Sequence, residues 1–499
     1  MSKKRILLCG EATFINSGYA NYGCQIMNRL YQTGEFELAE IASFGKENSS
    51  TQKPPWKIYY PEENKGNGRF GSSIFEDVLL QFKPDIVWSF RDPWVDDFIG
   101  DSPYKRHFHW AYMPTIDSIP LDPEWIYTLT KADSIFTYSD WALDVLKENY
   151  PNLNLISSAS PAADKVFTMI KDKKEFKKSH GLDPDSLIIG SVMRNQKRKL
   201  IPDLFDAFEM LLDQAPKEIS SKLILYLHTT YPDVGWDIPK LIAERPKISK
   251  KLFFTYSCRG CFNISISNFN GAIIECNYCK KTSSLFPNTS SGAKRDSMAM
   301  VYNLMDLYVQ YSCAEGFGMP LVEAASCGVP ISATDYSAMC DIVRKLDGFP
   351  IKVQRMHYEV ETHRKFALPD NQNFVDICIK YFKQPESVRK FKSNKTLSLA
   401  KEKYSYDAVS EKLKNHFLSL PSSSTWNEPK KYMDIPPEIS FNNNSDFLKQ
   451  LLKCFNDDFS LLFSKFLKRM NYNMSSKEDV YKEVEKIISK YNYYESIRN

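Results

Sequence analysis

The sequence predicts an α/β protein made of two doubly wound domains in series. Short apolar runs of the kind that form buried parallel strands alternate with amphipathic helical patterns, and this alternation begins twice, first at Arg5 and again after Pro161. A chain of 499 residues is long enough for two or three domains. Two α/β domains in series usually bind their ligand in the cleft between them.

The first half of the chain opens with a β-loop-α unit. Residues 5–10 form an apolar run that ends in glycine, which predicts a buried strand followed by a loop over 15–23 and a helix over 24–31. The other predictions for this half are strands over 85–90, 109–113 and 134–138 and a helix over 140–149. We assign residues 1–163 to this domain.

The second half repeats the pattern over residues 164–400. Its predicted strands cover 187–192, 222–227, 305–310 and 330–333, and its predicted helices cover 202–212, 371–383 and 385–404. Residues 426–499 begin in a linker rich in Ser, Pro and Asn and continue as a Lys- and aromatic-rich helical extension.

Composition narrows the class of protein. No apolar run approaches the roughly 20 residues of a membrane helix, and the start of the chain predicts no signal peptide. The 11 cysteines are an odd number with four tightly clustered, which favours reduced thiols, a metal site and a cytoplasmic location over a disulfide scaffold. The net charge of +4 neither demands nor excludes a polyanionic partner.

The most informative stretch is 315–325, where Glu315 and Glu323 flank a Gly-Phe-Gly turn and the start of an apolar helix. Gly316 and Gly318 tolerate positive φ and allow the backbone to approach a ligand closely. The first turn of a helix adds free N–H donors and a partial positive charge that favours anions. The stretch therefore predicts a site for a polyol that carries phosphate, such as a nucleotide sugar.

A basic loop over 193–199 follows one predicted strand and precedes a predicted helix. The carboxyl ends of parallel strands are where α/β sheets bind ligands. Arg194 and Lys199 could neutralise a diphosphate and stabilise the charge on a leaving group. Taken alone, such a loop is typical of a solvated cationic surface, but together with the Glu315 stretch it favours a diphosphate site.

The order of strand, Arg-x4-Lys, helix and then Glu-Gly-Phe-Gly-x-Pro-x-x-Glu resembles the retaining GT-B glycosyltransferases of the family 4-like class, the glycosyl transferases group 1. The likeness runs from Arg5 to about Leu420 and includes the segments 327–330 and 401–406. It implies the GT-B fold, with two Rossmann-like domains facing a cleft. It also implies an N-terminal acceptor domain over 1–163, a donor domain over 164–400 and a crossover helix over 401–425.

The resemblance implies a role for individual residues. Glu315 would hold hydroxyls of the donor sugar, and Glu323 would accept hydrogen bonds from the nucleotide ribose. Arg194 and Lys199 would clamp the diphosphate. The residues that would contact the sugar or its phosphates through the turn and through the first-domain glycine loop are Gly316, Phe317, Gly318, Met319, Ser17 and Gly18.

The implied reaction is transfer of a sugar from a nucleotide-diphosphate sugar to an acceptor hydroxyl with retention of anomeric configuration. The two cations would stabilise the leaving group, so the resemblance implies chemistry without a divalent metal.

The acceptor side departs from the family pattern. The family often carries a His in a Thr-x-His-Asp segment, and here Ile116 stands at that position while Asp117 remains. We therefore expect Asp117 to be the catalytic candidate on this side. His107 and His109 lie beside aromatic residues, which is more typical of packed histidines.

The second strong motif is a pair of Cys-x-x-Cys knuckles, formed by Cys258 with Cys261 and Cys276 with Cys279. This spacing is typical of a four-cysteine zinc ribbon with a closed, structural site. Residues 264–274 would form its hairpin, and the ribbon would be an insertion over 254–290 in the donor domain.

The sequence leaves the acceptor open between a glycan, a lipid-linked sugar, a protein and DNA with hydroxymethylated bases. A ribbon and a basic loop favour nucleic acid, whereas the weak net charge argues against it. A non-catalytic sugar-nucleotide-binding protein and a sugar-nucleotide epimerase are the two rival classes, and the combination of Arg-x4-Lys with the paired glutamates favours the transferase.

Overall fold

Two β-sheets flanked by helices form the frame of the protein, the first parallel and the second largely parallel. The structure, a computed structural model, describes residues 3–15, 17–47, 54–61, 66–288, 295–360, 362–423 and 426. Each sheet is built by strand–helix–strand crossovers, which require parallel neighbours.

The first sheet has the strand order β3-β2-β1-β4-β5-β6-β7, and all of its pairings are parallel. Its strands are β1 (Lys4–Glu11), β2 (Phe36–Ser43), β3 (Lys57–Tyr59), β4 (Ile86–Ser89), β5 (His109–Tyr112), β6 (Ser134–Thr137) and β7 (Leu155–Ser158). The helices of this half are α1 (Gly18–Thr33), α2 (Phe75–Phe82), α3 (Asp97–Gly100), α4 (Pro123–Thr130) and α5 (Asp140–Asn149).

The second half has a larger sheet and more helices. Its strands are β8 (Leu187–Val192), β9 (Leu223–His228), β10 (Leu252–Cys258), β11 (Ile264–Asn268), β12 (Ile273–Glu275), β13 (Thr282–Leu285), β14 (Leu307–Gln310), β15 (Ile331–Thr334), β16 (Phe349–Ile351), β17 (Val353–Tyr358) and β18 (Lys365–Pro369). Its helices are α6 (Lys173–Ser179), α7 (Ile201–Gln214), α8 (Lys217–Ser220), α9 (Ile238–Ala243), α10 (Pro246–Ser249), α11 (Arg295–Asn303), α12 (Met319–Ser326), α13 (Ser337–Lys345), α14 (Asn371–Phe382), α15 (Glu386–Lys403) and α16 (Tyr406–Ser419).

The second sheet runs β12-β13-β10-β9-β8-β14-β15-β16, with β11 paired to β10. The strands β10, β9, β8, β14, β15 and β16 are parallel, and β11 and β13 lie antiparallel to β10. A separate antiparallel hairpin joins β17 and β18. The expected hairpin over 264–274 is wrong, because β11 pairs with β10 and β12 pairs with β13, so the two strands of that segment never pair with each other.

The first helix begins earlier than the sequence predicted. Residues 18–23 were expected in a loop but form the first turns of α1, which starts after the cap residue Ser17. Gly23 lies inside this helix because the helix packs closely on β4 and the residue after it: a Cβ there would stand 2.7 Å from Phe90 Cζ. The glycine thus marks close packing rather than a loop.

After α15 the chain crosses back to its first half. The helix α15 packs on α12 of the second half, and after a break at residues 404–405 the helix α16 packs on α1. Lys4 Nζ donates a hydrogen bond to the Phe417 carbonyl at 2.9 Å, and Arg29 pairs with Asp407 at 2.6 Å. The buried Trp426 indole donates to the Pro84 carbonyl at 2.8 Å.

The α/β class, the parallel sheets and the C-terminal helices agree with the fold predicted from the sequence. The expected domain bounds at 163/164 and 400/401 stay predictions. Apart from Trp426, the predicted extension over 426–499 lies outside the described residues. Within the described ranges, no helix combines the length and apolar character needed to cross a membrane.

Candidate active site and metal site

Glu315 lies in the loop that follows β14 at the carboxyl edge of the second sheet, and its side chain is almost fully buried. Three side chains from this half of the molecule contact its carboxylate. Gln310 Nε2 donates to Oε1 at 2.8 Å, Arg198 Nη1 donates to Oε2 at 2.7 Å, and Lys199 Nζ also contacts Oε1. The carboxylate is therefore fixed between two cations at the point where β8 and β14, which are neighbours in the sheet, both end.

The cations keep Glu315 ionised. Burial alone would raise the pKa of this carboxyl, but Arg198 and Lys199 outweigh burial and lower the pKa to about 2. Burial has the larger influence on Lys199, and together with Arg198 it lowers the lysine pKa to about 8 in spite of Glu315. The site thus holds a permanent anion next to an ammonium group that titrates near neutral pH.

The turn after Glu315 brings the backbone to the start of α12. Gly318 caps this helix with φ +104, a conformation that glycine adopts without the cost a side chain would impose. A Cβ on Gly316 would overlap the Thr115 side chain of the first half, so glycine allows the two halves to touch here. Phe317 is buried with its ring 5.9 Å from that of Tyr404, and Met319 is the first residue of α12.

Glu323 lies one turn further along α12 and is half-buried. Its Oε2 accepts a hydrogen bond from the Tyr302 hydroxyl at 2.6 Å. The two glutamates of the sequence motif therefore belong to one continuous loop and helix, with one carboxylate before the turn and the other after it.

Arg194 and Lys199 are not held in the same way. Arg194 is 52% exposed and forms a two-pronged ion pair with Asp233, with Nε–Oδ2 at 2.8 Å and Nη2–Oδ1 at 3.0 Å. Arg198, which was not predicted as a site residue, is the arginine that contacts Glu315. It stands beside Lys199 in the 3₁₀ turn Lys197–Lys199, and the run of three cations was the signal available for it.

The first-domain glycine loop lies at the start of α1. Ser17 caps the helix by accepting a hydrogen bond from the Ala20 N–H at 3.0 Å, and its hydroxyl also contacts Glu11 at the end of β1. Gly18 is the first helical residue, and a Cβ there would meet no other atom within 4 Å. This open helix start follows the carboxyl end of β1, where ligand loops of α/β sheets are expected.

Asp117 connects the two halves of the molecule. Its Oδ1 pairs with Arg364 Nη1 at 2.8 Å, and it also accepts a hydrogen bond from the Ser118 hydroxyl at 2.8 Å. Arg364 directly precedes β18 and lies 5.0 Å from the centre of the Trp125 ring. The acceptor-side candidate is thus held by an arginine from the opposite half, while Ile116 beside it is buried in the core.

The two histidines upstream are packed away from this edge. His107 is buried and stacks on Trp426 with ring centres 4.8 Å apart. His109 begins β5, at the opposite end of the strand from the carboxyl edge, and its Nε2 lies 2.6 Å from Ser134 Oγ. Burial lowers the pKa of both imidazoles, to about 4 for His109. Both observations agree with packed residues.

The structure brings the four ribbon cysteines together at the end of β10. The sulfurs of Cys258, Cys261, Cys276 and Cys279 all lie within 4.8 Å of one another. The Cys258–Cys279 and Cys261–Cys276 sulfur pairs are each 3.6 Å apart. A tetrahedral zinc site with metal–sulfur bonds of about 2.3 Å places its sulfurs about 3.8 Å apart, which is close to the 3.6 Å of these two pairs.

The two Cys-x-x-Cys knuckles have the same backbone geometry. The N–H of Gly260 donates to Cys258 Sγ at 3.3 Å, and the N–H of Tyr278 donates to Cys276 Sγ at 3.4 Å. The residues after the second cysteine of each pair, Phe262 and Lys280, both have φ +60. Donors aimed at the sulfurs favour thiolates, which are the metal-binding form.

The sequence of residues 290–396 matches the family model described as glycosyl transferases group 1. This segment is therefore similar to the group 1 glycosyltransferases, and the match covers about a fifth of the chain. No curated protein sequence matches the chain. The segment includes Glu315, the turn and Glu323 but not Arg194, Lys199 or the cysteine cluster, so the group 1 match covers one wall of the candidate site.

Solved structures extend the comparison to the whole fold. Sucrose-phosphate synthase from Thermosynechococcus elongatus superimposes with a TM-score of 0.62 at 12% identity, covering 84% of this chain and 99% of the synthase. HepE of Anabaena, in complex with UDP and glucose, gives a TM-score of 0.57 at 13% identity and covers 84% and 100%. An E. coli protein described as trehalose-6-phosphate, bound with UDP-2-fluoro glucose, gives 0.57 at 12% identity and the same coverage.

These similarities confirm the family resemblance and the GT-B fold predicted from the sequence. The segment that matches the group 1 model lies in a two-sheet protein whose second sheet carries Glu315, Arg198 and Lys199 at its carboxyl edge.

Proposed function

We propose that the chain is a retaining glycosyltransferase that moves a sugar from a nucleotide-diphosphate sugar to an acceptor hydroxyl. The observation that carries this proposal is the buried, ionised Glu315 held between Arg198 and Lys199, next to the glycine turn that starts α12. The solved relatives bound with UDP, glucose and UDP-2-fluoro glucose support a UDP-sugar as the first donor to test.

In this proposal the cations stabilise the leaving nucleoside diphosphate. Arg194 and Lys199 belong to one loop at the carboxyl end of β8, and Arg198 lies between them in sequence. Glu315 holds hydroxyls of the donor sugar, and Glu323 holds the ribose. Positive charge aimed at the leaving diphosphate lowers the barrier for departure, and the acceptor hydroxyl then attacks the same face of the sugar. Asp117 acts from the acceptor side.

The decisive variant is Arg194→Ala. In the proposal Arg194 turns from Asp233 to the leaving diphosphate, and loss of one donor to a developing charge costs about 3–4 kcal/mol, so turnover should fall at least about a hundredfold. The matched control is Asp233→Asn, which removes the ion pair of Arg194 but keeps its guanidinium. We expect the control to retain most of its turnover, and near-normal turnover of Arg194→Ala would contradict the assignment.

Donor hydrolysis separates this function from its rivals. The protein is incubated with UDP-, GDP- and ADP-glucose without an acceptor, and released sugar and nucleotide are followed by proton NMR. A retaining transferase releases the α-anomer slowly from an α-linked donor. Release of the β-anomer would exclude retention, a changed sugar nucleotide would indicate an epimerase, and binding without any turnover would indicate a non-catalytic binding protein.

We also propose that the four-cysteine cluster holds a structural zinc ion. The four thiols would fill a tetrahedral shell and leave no position for a substrate, so the metal would stabilise the lobe rather than take part in transfer. We also propose a cytoplasmic location, because an odd count of 11 cysteines with four clustered favours reduced thiols.

A further inference from the structure

The end of the cysteine lobe, residues 258–285, exposes two aromatic rings. The side chain of Phe262 is 65% exposed and that of Tyr278 is 58% exposed. Phe262 follows Cys261, and Tyr278 precedes Cys279, so each ring is attached next to a sulfur of the cluster. Because all four sulfurs lie within 4.8 Å of one another, both rings belong to the same end of the lobe.

Three exposed cations belong to the same two knuckles as these rings. Arg259 belongs to the first knuckle, and Lys280 and Lys281 follow the second. A Cβ on Gly260 would stand 3.6 Å from Lys281 Cδ, so the first knuckle lies against this lysine. Within the described part of the chain, none of the three side chains forms an ion pair, and Glu275 is the one acidic residue of the lobe.

Positive charge is concentrated in this region of the sequence. Residues 258–285 carry three Lys and Arg against one Glu, a net charge of +2. The whole chain carries +4, so these 28 residues hold half of its net charge. The weak overall charge therefore does not exclude a local basic surface.

We propose that this surface, defined by Arg259, Phe262, Tyr278, Lys280 and Lys281, binds single-stranded nucleic acid. Exposed rings offer flat faces on which unpaired bases stack, and the flanking cations neutralise the phosphates. An acidic polysaccharide would use the cations, but the phenyl ring of Phe262 offers it no hydrogen bond. The combination of two rings and three cations therefore favours bases on a phosphate backbone.

The cysteine lobe lies at the carboxyl edge of the second sheet. Cys258 is the last residue of β10, and β10 runs parallel to β9 and β8. The lobe thus leaves the sheet at the same carboxyl edge that carries the Arg194 loop and Glu315. A bound strand would lie at the edge of the candidate active site, although the proposal concerns binding and does not depend on the transferase activity.

The test is fluorescence anisotropy with a labelled 20-nucleotide oligothymidine at several salt concentrations. We expect binding that weakens as salt rises. The variant Phe262→Ala/Tyr278→Ala should lose about tenfold or more in affinity, because each stacked base contributes substantially. The variant Lys280→Ser/Lys281→Ser should bind more weakly and show a shallower salt dependence, by about 0.7 in slope for each lost phosphate contact.

The matched control is Lys390→Ser/Phe391→Ala on α15, where Phe391 is 69% exposed and Lys390 is also exposed. The control should bind like the unmodified chain. The metal content and the thermal midpoint of each variant show whether the lobe remains folded. If the aromatic variant is unfolded, the variant Lys280→Ser/Lys281→Ser tests the proposal in its place. Absence of oligothymidine binding at low salt, or equal binding by the lobe variants and the control, would overturn the proposal. A lobe-dependent preference for heparin over the oligonucleotide would also overturn it in favour of an acidic polysaccharide.

Discussion

Lys199 is the residue whose protonation state most directly limits the proposed chemistry. Its ammonium group is buried between Arg198 and Glu315, and its pKa is lowered from 10.5 to about 8. In the proposed mechanism the side chain holds the diphosphate while it is charged, which is its state below pH 8. As the pH rises through 8 the ammonium loses its proton, and the attraction for the donor weakens.

We therefore predict an alkaline decline in kcat/KM for the donor, with an apparent pKa near 8. The bound diphosphate favours the charged lysine, so kcat should decline at a higher pH than kcat/KM. The variant Lys199→Arg should show no decline in this range, because a guanidinium stays protonated.

Lys197 provides the control for this prediction, since it is exposed and belongs to the same loop. The variant Lys197→Arg should keep the decline of the unmodified chain. A pH profile of Lys199→Arg with the same decline would show that another group is responsible.

At the scale of elements, the sequence predicted the buried parallel strands and failed where distant residues decide the structure. The strands β8 (187–192) and β14 (307–310) are mostly apolar and buried, and a short buried run of this kind is recognisable from the local sequence alone. The start of α1 was missed because glycines in sequence suggest a loop, whereas Gly23 is required by packing on Phe90. The hairpin of β17 and β18 was not predicted, since β17 is largely exposed and mixes polar with apolar residues, although β18 is mostly buried.

In the candidate site, too, the sequence predicted what depends on neighbouring residues and missed what depends on distant contacts. The cysteine cluster depends on two local spacings, so the sequence predicted its members, although not the strand pairing around them. Neighbouring cations in one loop point in different directions, so sequence spacing could not show that Arg198 contacts Glu315 while Arg194 contacts Asp233.

The cysteine lobe is the element in which metal removal should act first. We predict about one zinc per chain by elemental analysis and a loss of hydrogen-exchange protection in residues 258–285 after chelation. Exchange in the first sheet should change little. The reason is that a closed thiolate site contributes its binding free energy directly to the folding of the small lobe around it.

The variant Cys276→Ser should lose the metal, whereas Cys340→Ser, a free cysteine outside the cluster, should keep it. Protein prepared under reducing conditions with zinc present that contains no metal would refute the site.

At the scale of the whole molecule, contacts between the two halves place the candidate groups opposite each other. Lys345 pairs with Asp140 at 2.5 Å, and Tyr336 packs on Trp141 with ring centres 5.7 Å apart. The hairpin of β17 and β18 adds a second contact, in which the N–H of Lys365 donates to the Ile119 carbonyl at 2.9 Å beside the Arg364–Asp117 ion pair. Asp117 is therefore positioned by the opposite half.

We predict that Arg364→Met lowers turnover about tenfold while the Kd for UDP changes less than about twofold. A hydrogen bond to a charged group contributes about 1.5–3 kcal/mol, and its loss leaves Asp117 partly buried without its cation. The donor groups around Glu315 keep their contacts, so UDP binding should persist. The control Arg344→Met removes the exposed pair with Asp335 inside one half and should leave both constants unchanged.

A double-mutant cycle separates positioning from simple destabilisation. If Arg364 acts through Asp117, the variant Arg364→Met/Asp117→Asn should be no slower than Asp117→Asn alone, because the second change removes the group that the first one positions. Additive losses would show that the two residues act independently. Equal turnover of Arg364→Met and the unmodified chain would show that the hairpin holds Asp117 without any consequence for transfer.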